Sequence, residues 1–155
     1  MPDIVNGRCI LACVSLFFGF IGVVCYNCVY TVKIVEGGHD FVILGLHASA
    51  KKGENNRNYL QSIKGNADII VGDFNAGDYL ESENRDIFNS ILENHVCICN
   101  SPTKRVLSKE GKLIRKTCID HVFIRQCCVT KCSELKIHEN ILYSDHYPIT
   151  FKFDI

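Results

Sequence analysis

Three apolar runs of this sequence carry, at one end, polar side chains that a buried core does not favour. The residues, in chain order, are Asp73 and Asn75 after "DIIV", Asp120 and His121 after "TCI", and Asp145 and His146 before "YPITF". Side chains at strand ends can meet at one edge of a sheet, which is where α/β folds place their sites. The pattern therefore predicts a cluster of carboxylates with a histidine beside it.

Such a cluster has a preferred chemistry. Carboxylates held together repel one another and raise their pKa values unless a cation neutralises them, and Mg²⁺ or Mn²⁺ with oxygen ligands is the simplest such cation. A histidine next to the ion would move protons or stabilise a developing negative charge. These residue types predict a divalent-metal site with an acid–base group.

Each segment also has an explanation without chemistry. "GDFNA" fits a turn that satisfies its own backbone, and "SDH" fits a loop in which Ser144 and Asp145 cap nearby amides. "IDH" fits the solvated edge of a sheet. All three alternatives stay open for the single motifs, whereas their combination favours a site.

Composition narrows the class of protein without naming a partner. The 155 residues predict one domain, and the 17 basic and 17 acidic side chains cancel, so any contact with nucleic acid or a membrane must be local. Ten cysteines in a chain that is 47% hydrophobic indicate buried thiols in a reducing compartment, cytoplasmic or nuclear. A zinc site starting at Cys25 and Cys28 is the alternative.

The segment 9–32 contains no charged residue. It is long enough to cross a bilayer, which takes roughly 20 apolar residues, but its Val, Ile, Phe and Cys content also suits two buried strands. Both interpretations stay open, so membrane association and a membrane-anchored location are retained as alternatives. We predict an apolar N-terminal segment, 1–32, followed by one domain, 33–155.

Strands and helices alternate in the rest of the chain. "YTVKIV" and "DFVILGLH" flank "EGGH" and predict a hairpin, as does the glycine turn between Lys109 and Lys112. Apolar spacing predicts helices in "ENNRNYLQSIK" and over 81–94. Further strands are predicted in "ADIIVGDFN", "VCICN", "TCIDHVFIRQ" and "YPITFKF". Some of these strands are expected to be antiparallel, and the combination predicts an α/β sandwich.

As a set, "GDFNA", "IDHVFI" and "SDHYPI", preceded by "VILGLHAS", resemble the C-terminal half of the endonuclease/exonuclease/phosphatase superfamily. This group includes deoxyribonuclease-I-like nucleases, abasic-site and retrotransposon endonucleases, and inositol-polyphosphate phosphatases. The resemblance covers roughly residues 30–155. It implies the α/β sandwich of that superfamily and metal-assisted hydrolysis of a phosphoester.

The resemblance also implies roles for single residues. Asp73 and Asn75 match the G-D-x-N pair that orients the attacking water and holds the scissile phosphate. In the closing S-D-H motif, Asp145 matches a metal ligand and His146 the group that contacts the phosphate and manages a proton. Asp120 matches the aspartate that hydrogen-bonds this histidine and favours its charged form.

Two further matches are partial. His47 matches the phosphate-contacting histidine of an N-x-H strand, although Gly45 stands where the asparagine is usual. The asparagine and the metal-ligand glutamate of the N-terminal half have no counterpart, since Glu36, the one glutamate before His47, lies in the predicted "EGGH" turn. We therefore expect a truncated N-terminal half. Three explanations stay open: a fragment, a half completed by a second chain or copy, and a shortened descendant without catalysis.

The segment 104–116 is strongly basic, with six Lys or Arg residues against Glu110 alone. Its first two, Lys104 and Arg105, are predicted to bind substrate through phosphate contacts, and a solvated edge hairpin is the alternative. No aromatic residue interleaves with these charges, so base stacking is not predicted. The resulting hypothesis is an endonuclease that hydrolyses DNA, with a phosphatase of inositol phosphates or nucleotides, or an inactive binding protein, as alternatives.

Overall fold

The computed structural model describes residues 4–5, 8–13, 28–36, 39–48, 58, 67–75 and 93–154. The strands in these residues are β1 (Ile4–Val5), β2 (Arg8–Cys13), β3 (Cys28–Glu36), β4 (His39–His47), β5 (Ile69–Asp73), β6 (His95–Cys97), β7 (Lys104–Leu107), β8 (Leu113–Thr117), β9 (Asp120–Arg125), β10 (Cys132–Ile137) and β11 (Ile149–Asp154). A 3₁₀ helix, Gln126–Lys131, joins β9 to β10. The strands form two larger sheets and one separate ribbon, β7–β8.

The larger sheet has the strand order β3-β4-β5-β9-β6. β4 and β5 run parallel, while the other neighbours are antiparallel. β5 is buried along most of its length, as expected for a central strand with both faces covered. The last residues of β4 and β5 and the first residue of β9 lie at the same edge of this sheet.

The second sheet has the order β1-β2-β11-β10 and packs its inner face against the first. Their shared core joins Phe41, Ile69 and Ile124 of the first sheet to Phe151 and Phe153 of β11. The rings of Phe41 and Phe153 are 4.6 Å apart. Each fully buried side chain of this size stabilises the fold by about 1.5–3 kcal/mol. The contact holds the two sheets together as a sandwich.

Most predicted strands are present. The hairpin β3–β4 pairs from Glu36 with His39 to Cys28 with His47, and β7–β8 turns at Ser108 to Lys112. β6 starts one residue earlier than predicted and ends at Cys97, although the amide of Ile98 still bonds the Val122 carbonyl at 2.9 Å. The predicted helices lie outside the described residues, except for helical residue 58 and the turn at 93–94.

β1 and β2 lie within the apolar N-terminal segment, and β3 begins there. β2 pairs with β11 along its whole length, and β3 runs through the predicted boundary at residue 32. Within the described ranges, no helix is long and apolar enough to cross a membrane. The predicted zinc pair extends outside the described residues, because residue 25 is not among them.

The sequence gives no hint of β10. Its residues, "CSELKI", are mostly exposed and lack alternation, and β10 is an edge strand of its sheet. Glu134 has a φ of +52°, and the pairing with β11 shifts between Ser133 and Lys136. Polar residues and bulges are common on such edges because they discourage pairing with other chains.

One position in β5 must be glycine. Gly72 pairs with Leu46 and has a φ of +150°, and a Cβ built on it would lie 1.9 Å from the Leu46 carbonyl oxygen. A side chain there would push β5 away from β4 at the edge where both strands end.

We therefore expect Gly72→Ala to lower the free energy of unfolding by about 2–4 kcal/mol, through backbone strain and overpacking. Denaturant unfolding measures the change. Gly111→Ala is the matched control, because Gly111 also has a positive φ, +78°, but open space around it. That control should cost only about 1 kcal/mol. Equal losses for the two variants would contradict the proposed backbone clash.

Candidate active site

Three strand ends meet at one edge of the five-stranded sheet. β4 ends at His47, β5 ends at Asp73 and β9 begins at Asp120. The register pairs His47 with Asp73 and Asp73 with Asp120. His146 joins them from the loop before β11, through an isolated bridge with Lys104. The structure thus brings four of the predicted site residues together.

Asp73 is the central acid of this group. Its Oδ2 lies 3.7 Å from Nε2 of His47 and 3.9 Å from Nε2 of His146, and the residue is only 8% exposed. Burial and the nearby Asp120 carboxylate raise the pKa of Asp73 to about 6, against the opposing effects of both histidines. Asp73 is therefore ionised at neutral pH but holds a proton more readily than an ordinary aspartate.

Asp120 and His146 form a tight pair. Nδ1 of His146 lies 2.9 Å and 3.1 Å from the two carboxylate oxygens of Asp120, where the resemblance implied such a bond. Burial lowers the pKa of His146, but the hydrogen bond and charge of Asp120 more than offset this and raise it. The protonated Nδ1 donates to the carboxylate, which leaves Nε2 on the side of Asp73.

A fully buried threonine positions Asp120. The hydroxyl oxygen of Thr103 accepts from the amides of Asp120, at 3.1 Å, and Ile119, at 3.3 Å. The backbone of Thr103 bonds the Thr117 carbonyl and accepts from the amide of Tyr147, next to His146. Thr103 is missing from the residues predicted as site residues. The signal for it is the short "PT" before the basic hairpin, which carries no chemical pattern of its own.

Asn75 is held in a turn beside Asp73. Its amide donates to Oδ1 of Asp73 at 2.8 Å, its side-chain Nδ2 donates to the Ala48 carbonyl at 2.8 Å, and its φ is +47°. "GDFNA" is thus a turn that satisfies its own backbone, and the same turn places Asp73 in the cluster. The two interpretations of this motif are compatible.

Asp145 lies apart from the two buried acids, Asp73 and Asp120. Its carboxylate is half exposed and 3.5 Å from Nζ of Lys104. Burial raises the pKa of Asp145, but Lys104 and His146 outweigh it and hold this pKa below its usual value. Ser144 caps the motif, since its hydroxyl accepts from the amide of His146 at 3.1 Å. The metal-ligand role of Asp145 stays a prediction.

Arg105 holds the loop that carries Asp145 and His146. Its Nη2 donates to the carbonyls of Ser144, at 2.6 Å, and Leu142, at 3.3 Å, and its guanidinium lies over the ring of Tyr147. The amide of Arg105 also donates to the Asp145 carbonyl. The charges of Lys104 and Arg105 are therefore engaged within the chain, and their substrate-binding role stays a prediction.

The cluster has donors suited to a divalent cation. Ligand atoms of Asp73, Asp120 and His146 all lie within 4.8 Å of one another, and this is the one such group of three in the described residues. The raised pKa of Asp73 reflects its burial and then repulsion from the Asp120 carboxylate, and a bound cation would oppose both effects by stabilising the charged form. The residues present thus fit a divalent metal, with Asp73 as the ligand that gains most from it.

Comparisons with known proteins show which known fold this structure resembles. No protein-family model and no curated protein matches the sequence. The structure resembles the endonuclease domain of TRAS1, a telomere-specific non-LTR retrotransposon, with a TM-score of 0.67 and 17% identity over 83% of this chain. The chain spans 64% of that domain. The likeness confirms the predicted α/β sandwich.

Two other solved structures are more distant. One is an endonuclease/exonuclease/phosphatase family protein from Bacteroides thetaiotaomicron, with a TM-score of 0.45 and 16% identity, covering 77% of this chain and 53% of that one. The other is the cytolethal distending toxin from Actinobacillus actinomycetemcomitans, with a TM-score of 0.41 and 22% identity, covering 81% and 53%.

The contact between Asp120 and His146 predicts a pH effect. Asp120→Asn removes the charge that raises the pKa of His146, so this pKa should fall below that of the wild type. The raised pKa of His146 stabilises the fold at pH values below the pKa of this residue in the unfolded chain. This stabilisation is lost as the pH rises through the pKa of the folded state, so the variant should lose stability mainly in acid.

An NMR titration of the His146 imidazole measures this pKa, and urea unfolding at several pH values measures the stability. Glu110→Gln, which removes an exposed acid at the tip of the hairpin, is the control and should leave the His146 curve in place. An unchanged His146 titration in Asp120→Asn would show that Asp120 does not set its charge.

Proposed function

Because the chain has the fold of the endonuclease/exonuclease/phosphatase superfamily, we propose that it is a metal-dependent phosphoesterase and, more specifically, an endonuclease that hydrolyses DNA. The observation that carries the proposal is the buried group of Asp73, Asp120 and His146 at one sheet edge. Acidic and histidine side chains with shifted pKa values in such a place are typical of acid–base catalysis.

Asp73 is the proton acceptor in this proposal. Its pKa of about 6 leaves it ionised at neutral pH and still basic enough to take a proton from the attacking water. Asn75, fixed by the Ala48 carbonyl and by Asp73, would hold a phosphate oxygen in the same turn. Together they orient water and phosphate on one side of the cluster.

His146 is the positive group. Its raised pKa keeps it charged closer to neutral pH. The hydrogen bond between Asp120 and Nδ1 fixes the ring, so that Nε2 points away from Asp120. Nε2 would stabilise charge on the phosphoryl oxygens and give a proton to the leaving oxygen. His47, on the other side of Asp73, would contact the same phosphate.

Asp73 is proposed to hold Mg²⁺ or Mn²⁺ within the group that it forms with Asp120 and His146, and Asp145 is the further ligand that the resemblance implies. A bound divalent ion supplies charge neutralisation at the phosphoryl oxygens and polarises the water or the leaving group. The acid–base residues named above would be positioned by protein contacts whether or not the ion is bound.

The ribbon β7–β8 favours a polyanionic substrate. Lys109, Lys112 and Arg115 are exposed on it, and its first residue, Lys104, pairs with the backbone of His146. Cations placed along a ribbon beside the site would follow a nucleic-acid backbone. This arrangement favours DNA over a small phosphoester.

Plasmid nicking tests the proposal. The purified chain should nick supercoiled DNA with Mg²⁺ or Mn²⁺ and not in EDTA, and His146→Ala and Asp73→Asn should lower the rate about 10²–10⁴-fold. His95→Ala is the matched control, because His95 pairs with Arg125 at the opposite end of β9. Circular dichroism checks that all variants fold.

Other outcomes would redirect the assignment. Release of inorganic phosphate from inositol phosphates or nucleotides without nicking would favour the phosphatase. Neither activity in a folded chain would contradict the endonuclease and leave a binding protein or an enzyme completed by a second chain. Nicking that survives in both site variants would place the catalysis elsewhere.

The proposed role of Asp73 as a metal ligand also predicts changes in the stability of the fold. The pKa of Asp73 rises from 3.8 to about 6, so the fold loses stability as pH rises through this window. Asp73→Asn should therefore gain about 3 kcal/mol above pH 7 without metal. Wild type should gain about 1.4 kcal/mol from Mg²⁺ at ten times its Kd, and the variant less.

Thermal unfolding at pH 8, with and without MgCl₂, checks both effects. Asp154→Asn, at the end of β11, controls for the loss of an aspartate charge elsewhere. The same gain from Mg²⁺ in wild type and Asp73→Asn would mean that Asp73 is not a ligand.

A further inference from the structure

One aromatic side chain stands almost fully in solvent next to the site. Tyr143 is 92% exposed, and its neighbour Leu142 is 58% exposed. A tyrosine in a folded domain normally buries much of its ring, since that area stabilises the fold. The ring of Tyr143 is not buried and does not stabilise the fold in this way, so its surface is open for a ligand.

The backbone around Tyr143 is fixed although the side chain is free of cover. Arg105 binds the carbonyls on both sides of it, those of Leu142 and Ser144. The amide of Ile141 donates to the His138 carbonyl at 3.1 Å. The loop therefore presents the ring from a held position, which lowers the entropy cost of a contact.

Tyr143 is also near the reacting groups along the chain. Tyr143 precedes Asp145 by two residues and His146 by three, so its Cα lies within about 11 Å of that of His146. A phosphate held by His146 would have its flanking nucleotide within reach of the ring.

Cations line the same loop. Lys116 reaches Glu139 at 2.5 Å, and Lys104 reaches Asp145 at 3.5 Å, so the two acids of the loop are balanced. Arg105 adds a further positive charge. A ring beside neutralised acids and a guanidinium suits a base attached to a phosphate backbone.

We propose that Tyr143 stacks on an unpaired nucleobase that flanks the scissile phosphate, so that the substrate is single-stranded, gapped or locally unpaired DNA. The inference rests on the proposed phosphodiester chemistry and narrows its substrate. Base stacking is absent from the sequence-based expectation because no aromatic residue lies among the basic residues 104–116. The structure supplies one from a loop that is distant in sequence, held against the hairpin by Arg105.

Binding without turnover tests the inference. The full chain is titrated in EDTA, at one fixed salt concentration, into a single-stranded oligonucleotide that carries 2-aminopurine, whose fluorescence falls when it stacks. Wild type and Tyr143→Phe should quench the probe alike, while Tyr143→Ala should lose the quenching and raise Kd roughly 5- to 150-fold. A fully paired duplex should show a much smaller change.

Leu135→Ala, which shortens an exposed side chain on β10, is the matched control and should bind like the wild type. Equal Kd values for Tyr143→Ala and the wild type would overturn the inference. So would Tyr143-dependent binding to phosphatidylserine vesicles with none to the oligonucleotide, since this would assign the ring to a membrane surface.

Comparison with plasmid nicking separates the two proposals. Nicking by the wild type with no effect of Tyr143→Ala on binding leaves the endonuclease standing and removes the stacking. Tyr143-dependent binding without any nicking supports the stacking and removes the endonuclease. A folded chain that neither binds nor nicks removes both.

Discussion

The register of β5 between β4 and β9 is the constraint on which the site depends. Because this register sets Asp73 opposite both His47 and Asp120, two carboxylates are buried on neighbouring strands. A slip by one residue would turn Asp73 to the other face of the sheet. Gly72 helps to fix the register, since only a residue without Cβ can approach Leu46 so closely.

Burying two acids side by side costs folding free energy, and the structure offsets the cost unequally. The carboxylate of Asp120 accepts from the imidazole of His146 at 2.9 Å and 3.1 Å, and Thr103 fixes the backbone of Asp120 by accepting from its amide. Asp73 receives one amide and lies near two histidines at longer distances. The acid left less satisfied is therefore Asp73, and it has most to gain from a bound cation or a protonated histidine.

Local pattern was enough to predict the strands that end in polar residues and both hairpins, because period and turn chemistry are local properties. The partners of single side chains were not predictable. Arg105 and Lys104 bind Ser144 and Asp145, which lie far along the chain, and the local pattern did not predict these contacts; the substrate-binding role of the two cations stays a prediction. β10 was missed because an exposed edge strand needs no apolar alternation. Tyr143 became notable only through its exposure.

The orientation of His146 and the binding of a cation are separable properties of this site. The contacts described above for His146 come from Asp120, Ser144 and the bridge with Lys104. Arg105 in turn donates to the carbonyl of Ser144, and the hydroxyl of Thr103 accepts from the amide of Asp120. The charge on Asp73, by contrast, is balanced by histidines only when these are protonated. Loss of a metal ligand should therefore alter affinity for the ion and the pKa of Asp73 while leaving the imidazole of His146 in place.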